Sequence, residues 1–495
     1  MQIFEHLPRH LALMVLQSEN VSLSDCAMCL PDTLFPIAFE AQHPTAVSAS
    51  QVFLDDGHLS LQPADRMNVL RAVCSLTRLT FLSLNCSWLP PDTPESASLF
   101  SGLLCLPDLQ QLCVVGYPSV ALEQSFQRCS GAMVSVNTVH IETKRSISDD
   151  ASVREALFSC LASMQQMPSL RALATSLPLG CPLWHAGWVG GLVPSDGEFV
   201  DRVMGTIGTL TALTSLRCHV AMDRNACCNE IKCANIGVGI GYICSNNTLL
   251  QDLAVHEDFD GASGNAMPPV LKSLSGLSHL TSLAVCAVEL QLVDIVPAVG
   301  RLVNLKSLQL DGCVYNLNEY VELSELSELQ QLTNLQLVGA PAMQMGMFSH
   351  PTSFWRSFSC AVVSMTSLER LSLESWHLKN SLYMLSAVLG KLCSLSCLEI
   401  VRCVVSQHCV ENLTQGLACM SALTCLSLEG NPLRLAGARA LLECLDDITQ
   451  LQKLNLQRCS LGDEGCEAVQ QAWEATLGRE ESRTLCVDEQ DYSVR

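Results

Sequence analysis

Apolar residues recur at i, i+3, i+6 and i+8 along most of this chain, and the group returns roughly every 30 residues. The clearest copies hold Leu368, Leu371 and Leu373, then Leu395, Leu398 and Ile400, then Leu423, Leu426 and Leu428, then Leu451, Leu454 and Leu456. Met365, Leu392, Met420 and Ile448 stand three residues before them in turn. Alternation over Leu371, Ser372 and Leu373 predicts a short strand that sends the leucines to one face and the serine to the other. Behind the strands, Ala436 to Leu445 and Asp463 to Trp473 repeat their apolar residues at helical spacing and predict helices.

No single strand and helix can bury its own apolar face, so the units must stack on one another. The first residue of each central apolar pair is Val52, Leu82, Leu112, Val139, Leu173, Leu216, Leu253, Leu283, Leu308, Leu335, Leu371, Leu398, Leu426, Leu454 or Leu485, with neighbours 25 to 43 residues apart. The copies at Val139, Leu173 and Leu485 carry Ile141, Thr175 and Val487 at the second apolar position and are assigned by spacing. Three residues beyond the pair, Cys313, Cys403, Asn431 and Cys459 stand where the backbone must bend out of the strand and needs partners.

These residues carry a resemblance. The stretch from Met365 to Leu477 looks like the ribonuclease-inhibitor-like class of leucine-rich repeats, also found in the sensor tails of NOD-like receptors. The expected fold class is α/β: a leucine-rich repeat solenoid, a curved horseshoe with a parallel sheet on the concave face and helices and irregular turns on the convex face. A partly helical N-terminal cap is expected over 1–49, about 15 repeats over 50–490 with long insertions near 176–212, 218–249 and 338–367, and a tail over 491–495. In the cap, Leu7 to Leu16 faintly resembles the start of an F-box, and Leu30 to Phe39 is similar to a segment of PRAME-type leucine-rich-repeat proteins, substrate receptors of ubiquitin ligases. That resemblance implies an adaptor docking on residues 1–49, while shielding the open edge of the first repeat asks for the same apolar residues.

Charge narrows the partners. With 28 Lys and Arg against 49 Asp and Glu, the net charge is −21, which repels phosphate backbones, so nucleic acid is not expected as a partner. No apolar run reaches the roughly 18 to 20 residues of a spanning helix; Leu283 to Leu302 is interrupted by Glu289, Asp294, Pro297 and Arg301, and no membrane is expected. The N-terminus has Glu5 and an apolar stretch of only Leu11 to Leu16, unlike a secretory leader. The 27 cysteines spread through the repeats at positions of leucine, valine or asparagine, as reduced thiols acting as small hydrophobes do. A cytoplasmic location is the expectation.

Chemistry is sparse. Cys26 and Cys29 lack a second pair at zinc spacing. Cys218, His219, Cys227, Cys228, Cys233 and Cys244 crowd one long repeat; they read as packing residues or as a folded-out metal loop. The glycines of Asn235 to Tyr242 lack the Lys-Ser/Thr of a phosphate cradle. No catalytic motif or paired carboxylate stands out, so neither an enzyme nor a cofactor or metal is expected.

Binding is expected on the concave face, where residues flanking the apolar pair project: Asp311, Arg370, Glu374, Glu399, Glu429 and Lys453 are the candidates. Acids outnumber bases around these positions, which suits a basic protein partner. The overlong turns supply a second set, Trp184 and Trp188 in one and Met345, Phe348 and Trp355 in another, as adaptable apolar contacts. The expected function is a non-enzymatic intracellular protein-binding scaffold. Two alternatives stand beside it: a ubiquitin-ligase substrate receptor, and a metal-binding or enzymatic protein built on Cys218 to Cys244.

Overall fold

The computed structural model describes residues 51–54, 67, 70–71, 73–74, 76, 78–86, 93–116, 120–142, 151–178, 196–221, 230–258, 267–314, 323–340, 352–378, 381–477 and 483–487. The cap expected over 1–49, the tail 491–495, and Trp184, Trp188, Met345 and Phe348 lie outside them. The chain divides into two compact units, whose described parts run from Gln51 to Leu250 and from Gln251 to Val487.

In the first unit strands and helices alternate: β1 (Gln51–Leu54), β2 (Phe81–Asn85), α1 (Pro94–Leu104), β3 (Gln111–Val115), α2 (Val120–Cys129), β4 (Thr138–Glu142), α3 (Ala151–Ser163), β5 (Ala172–Pro178), α4 (Asp196–Gly208), β6 (Ser215–Ala221) and α5 (Glu230–Asn246). The second unit continues the alternation with β7 (Asp252–Asp258), α6 (Met267–Leu274), β8 (Ser282–Gln291), α7 (Leu292–Val299) and β9 (Ser307–Val314). A 3-10 turn (Leu323–Glu328) takes the place of a helix before β10 (Asn334–Gly339). Then follow α8 (Thr352–Ser364), β11 (Arg370–Glu374), α9 (Leu382–Leu389), β12 (Cys397–Val401), α10 (Gln407–Leu417), β13 (Cys425–Ser427), α11 (Arg434–Glu443), β14 (Lys453–Asn455), α12 (Gly462–Leu477) and β15 (Thr484–Cys486).

Within each unit the strands pair in parallel with their neighbours in sequence, and the apolar markers stand directly opposite one another. In the first unit Val52 faces Leu82, which faces Leu112, then Val139, Leu173 and Leu216. In the second, Leu253, Leu283, Leu308, Leu335, Leu371, Leu398, Leu426, Leu454 and Leu485 form the equivalent row. This is a leucine-rich repeat solenoid of α/β class. Leu371, Leu373, Leu398, Ile400, Leu426 and Leu428 are fully buried, as the pleat requires of residues turned toward the helices.

Two devices lock successive repeats. At the entry to a strand, one carbonyl of the preceding repeat accepts two consecutive N–H groups: Thr333 O takes those of Glu369 and Arg370, Glu369 O those of Ser396 and Cys397, and Ser396 O those of Thr424 and Cys425. Where the entry residue is Thr or Ser, its hydroxyl joins the same carbonyl, as at Thr281, Thr333, Ser396 and Thr424, at 3.0 to 3.1 Å. At the exit, Cys403 Sγ donates to Leu373 O at 3.3 Å, Asn431 Nδ2 to Ile400 O at 2.7 Å, and Cys459 Sγ to Leu428 O at 3.1 Å. Asn431 also accepts from Cys403 N–H at 2.9 Å and Val405 N–H at 3.0 Å, so its amide satisfies both sides of the bend.

Between these points the backbone turns sharply. The residue two beyond the second apolar marker is left-handed in six repeats: Gly116, Gly312, Ser375, Arg402, Gly430 and Arg458, with φ between 51° and 91°. For the three that are not glycine this conformation costs about 1 to 2 kcal/mol each, held by the hydrogen bonds on either side.

One expectation changes here, and two open readings are decided. Trp355, expected on an inserted loop, lies in α8 and is 1% exposed. Its ring meets Phe354, Phe358 and Trp376 edge to face at 5.1 to 5.8 Å, and Trp376 Nε1 donates to Leu337 O at 2.9 Å. An aromatic ring carries too much apolar area to stay outside when a helix can fold it back over the sheet. The glycine-rich Asn235 to Tyr242 belongs to α5, where a Cβ at Gly239 would stand 2.6 Å from Met204 Cβ on α4, so the glycine lets two helices approach. Cys218 is a buried strand residue and Cys244 a buried helix residue, both packed in the unit's interior.

Candidate functional site

Side chains that alternate with the buried markers emerge on the opposite, outer face of the sheet. In the second unit one row across this face runs Asn334, Arg370, Cys397, Cys425, Lys453 and Thr484, and the next runs Gln336, Ser372, Glu399, Ser427, Asn455 and Cys486. Ser372 and Ser427 are buried although they face outward, so the surface dips where they stand between longer neighbours.

Five of the six candidates from the sequence come together here. Arg370 Nη1 lies 3.8 Å from Glu399 Oε1, and Lys453 sits opposite Cys425. Glu374 pairs with Arg402, and Glu429 lies 3.9 Å from Arg458 Nη1 while accepting from Asn455 Nδ2 at 3.2 Å. The local charge is therefore more balanced than the strand positions alone suggest. Arg402 and Arg458 stand in the left-handed turns beyond the strands, and each reaches back one repeat to an acid. Half-exposed pairs of this kind contribute about 0 to 1 kcal/mol each. Asp311 lies apart on β9, where Cys286 Sγ donates to its Oδ2 at 3.5 Å.

Cysteines are the constituents that a count of charges passes over. Cys113 and His140 face each other on β3 and β4 with Sγ and Nδ1 3.6 Å apart, and Cys286 and His256 do so on β8 and β7, also at 3.6 Å. On β12 and β13, Cys397 and Cys425 are direct neighbours, and Cys397 Sγ stands 3.8 Å from Glu399 Oε1. Cys425 is held down to about 7, first by the hydrogen bond from Cys397 and then by Lys453 and Arg370, against burial and Glu399. Cys397 is pushed far up by donating that bond, by burial and by the Cys425 and Glu399 charges. Interior thiols behave otherwise: burial pushes Cys403, Cys244 and Cys444 up to about 12. Every cysteine whose side chain is described carries a free thiol.

The signal for these thiols was present in the strand register. Cys113 lies between its two apolar markers, Cys397 and Cys425 immediately precede theirs, and Cys286 immediately follows. A second feature, a groove of about 740 Å³ beside β15, is lined by Asp463, Glu467, Trp473, Glu474 and Arg483 among others. No helix among the described residues is long and apolar enough to cross a membrane.

No protein-family model and no curated protein matches the chain. Among solved structures, an internalin from Listeria monocytogenes is 16% identical over 78% of this chain and 82% of its own, with a TM-score of 0.39. TLR13 in a complex with ssRNA13 is 15% identical over 86% of this chain and 61% of its own, with a TM-score of 0.37. A protein from Bacteroides fragilis is 16% identical over 71% and 75% of the two chains, with a TM-score of 0.32.

Proposed function

We propose that this chain is a non-enzymatic scaffold that binds a protein partner through the outer face of its sheet, most of all across β11 to β14. The observation that carries this reading is the ordered array of Arg370, Glu374, Glu399, Glu429 and Lys453, set on strands, or in Glu429's case just beyond one, whose backbones are tied repeat to repeat. Such an array is pre-organised, so a partner meets side chains that lose little backbone freedom on binding. With Arg402 and Arg458 beside its acids, it carries both signs, which suits a partner surface of mixed rather than uniformly basic charge. We infer that it acts in the cytoplasm, where its many thiols stay reduced, and that the repeats from Met365 to Leu477 are of the ribonuclease-inhibitor-like class.

The test is affinity capture with the full chain, followed by measurement of the identified partner's affinity for Glu374→Arg and Glu429→Arg. Each reversal breaks one surface pair and should leave the fold in place. Binding weakened tenfold or more in the double variant, about 1.4 kcal/mol, is the expected result. Unchanged affinity would move the contact to another surface.

A further inference from the structure

Cys397 and Cys425 open neighbouring strands in direct register, and Glu399 stands two residues beyond Cys397 on the same face of the pleat. Their donor atoms, two Sγ and one carboxylate oxygen, all lie within 4.8 Å of one another. Among the described residues no other trio of metal-ligating side chains is grouped this closely. We propose that Cys397, Cys425 and Glu399 form a three-ligand site for a zinc-type divalent cation on the outer face of the sheet.

Geometry and donor chemistry agree. Zinc bonds of about 2.3 Å to sulphur and 2.0 to 2.2 Å to oxygen put tetrahedral ligand atoms roughly 3.5 to 3.8 Å apart, and the Cys397 to Glu399 separation is 3.8 Å. The remaining adjustment is rotation of side chains, because the backbone beneath them is fixed: Leu398 and Leu426 are fully buried, and the strand-entry bonds hold both strands. Two thiolates and a carboxylate suit zinc better than magnesium or calcium, which take oxygen ligands. Binding releases the thiol protons to solvent and leaves the three-anion site with one net negative charge. Arg370, 3.8 Å from Glu399, and Lys453, opposite Cys425, balance that charge. Three protein ligands leave the fourth position open for water or for a donor from a bound molecule.

The test titrates the full, phosphine-reduced chain with Co2+ in the absence of air and follows the thiolate-to-cobalt absorption. One equivalent should bind, Zn2+ should displace it, and Cys397→Ser with Cys425→Ser should abolish the band. Cys419→Ser, at an exposed thiol outside the trio, should leave it intact. Glu399→Gln should weaken binding at least about tenfold, the lower end of what even an outer partner of a ligand contributes. That variant alters one half-exposed side chain and keeps the test open should a cysteine variant fail to fold. A band that survives the double cysteine variant, equal loss on Cys419→Ser, or unchanged affinity on Glu399→Gln would overturn the proposal. So would a fully reduced chain that takes up no Co2+ and instead closes a Cys397–Cys425 disulfide on exposure to air.

Discussion

At the scale of single residues, the same side chain has opposite chemistry according to its neighbours. Cys403 and Cys444 sit in the interior and are pushed up to about 12, so they stay protonated and inert at neutral pH. Cys425, on the outer face beside Cys397 and Lys453, is held down to about 7. A lowered value means that the thiolate is present above that pH and lost below it. In the metal-free chain, iodoacetamide should therefore label Cys425 first, with a rate half-maximal near pH 7. Cys397→Ala removes the donated hydrogen bond and should move that midpoint toward the ordinary 9.0; a midpoint that stays in place would assign the effect to Lys453 and Arg370. The thiols were legible as strand positions and illegible as chemistry, because nothing in the order of residues says that Cys397 and Cys425, 28 apart, are neighbours until the register is drawn. Arg402 and Arg458 were hidden for a different reason: their turns are left-handed without glycine, so no residue type announces the reversal that points them back at Glu374 and Glu429.

At the scale of elements, the strands were legible to the residue and the helices less so. Even the weak copies at Val139, Leu173 and Leu485 fall into register, since one slip would send a whole set of apolar side chains to the wrong face. Helices tolerate more sequences, and Trp355 of α8 looked like a loop residue because its reason is a contact with something distant in the chain. Two glycines on packed helices separate propensity from packing. Gly205 on α4 has nothing within 4 Å of a Cβ position, so Gly205→Ala should stabilise by about 0.5 to 1 kcal/mol. Gly239 on α5 faces Met204 at 2.6 Å, and Gly239→Ala should destabilise by roughly 1 kcal/mol, overpacking exceeding the same propensity gain. Chemical denaturation of both variants checks the signs; a stabilising shift for Gly239→Ala would contradict the helix contact, and a destabilising one for Gly205→Ala the propensity gain.

For the whole molecule, function was far less legible than fold, and the reason is physical. The buried positions are constrained by packing while the outward ones are not, so the periodic part of the sequence carries architecture and says little of chemistry. The net charge of −21 says little about any one surface when Glu374, Glu399 and Glu429 each have an arginine beside them. The exit bonds of Cys403, Asn431 and Cys459 have a further consequence. Each reaches a carbonyl one coil upstream, and the same atoms recur in these three successive coils, so among them the joint is indifferent to which coil supplies them. Excising residues 397–424 should bring Leu426 opposite Leu371 and let Asn431 take over Leu373 O from Cys403. The shortened protein should still melt in a single transition at a lower midpoint, as followed by circular dichroism, whereas excising half that length should abolish it. A solenoid joined in this way can gain or lose length in whole modules, and splicing rather than point substitution is the cheapest way to alter how far its sheet extends.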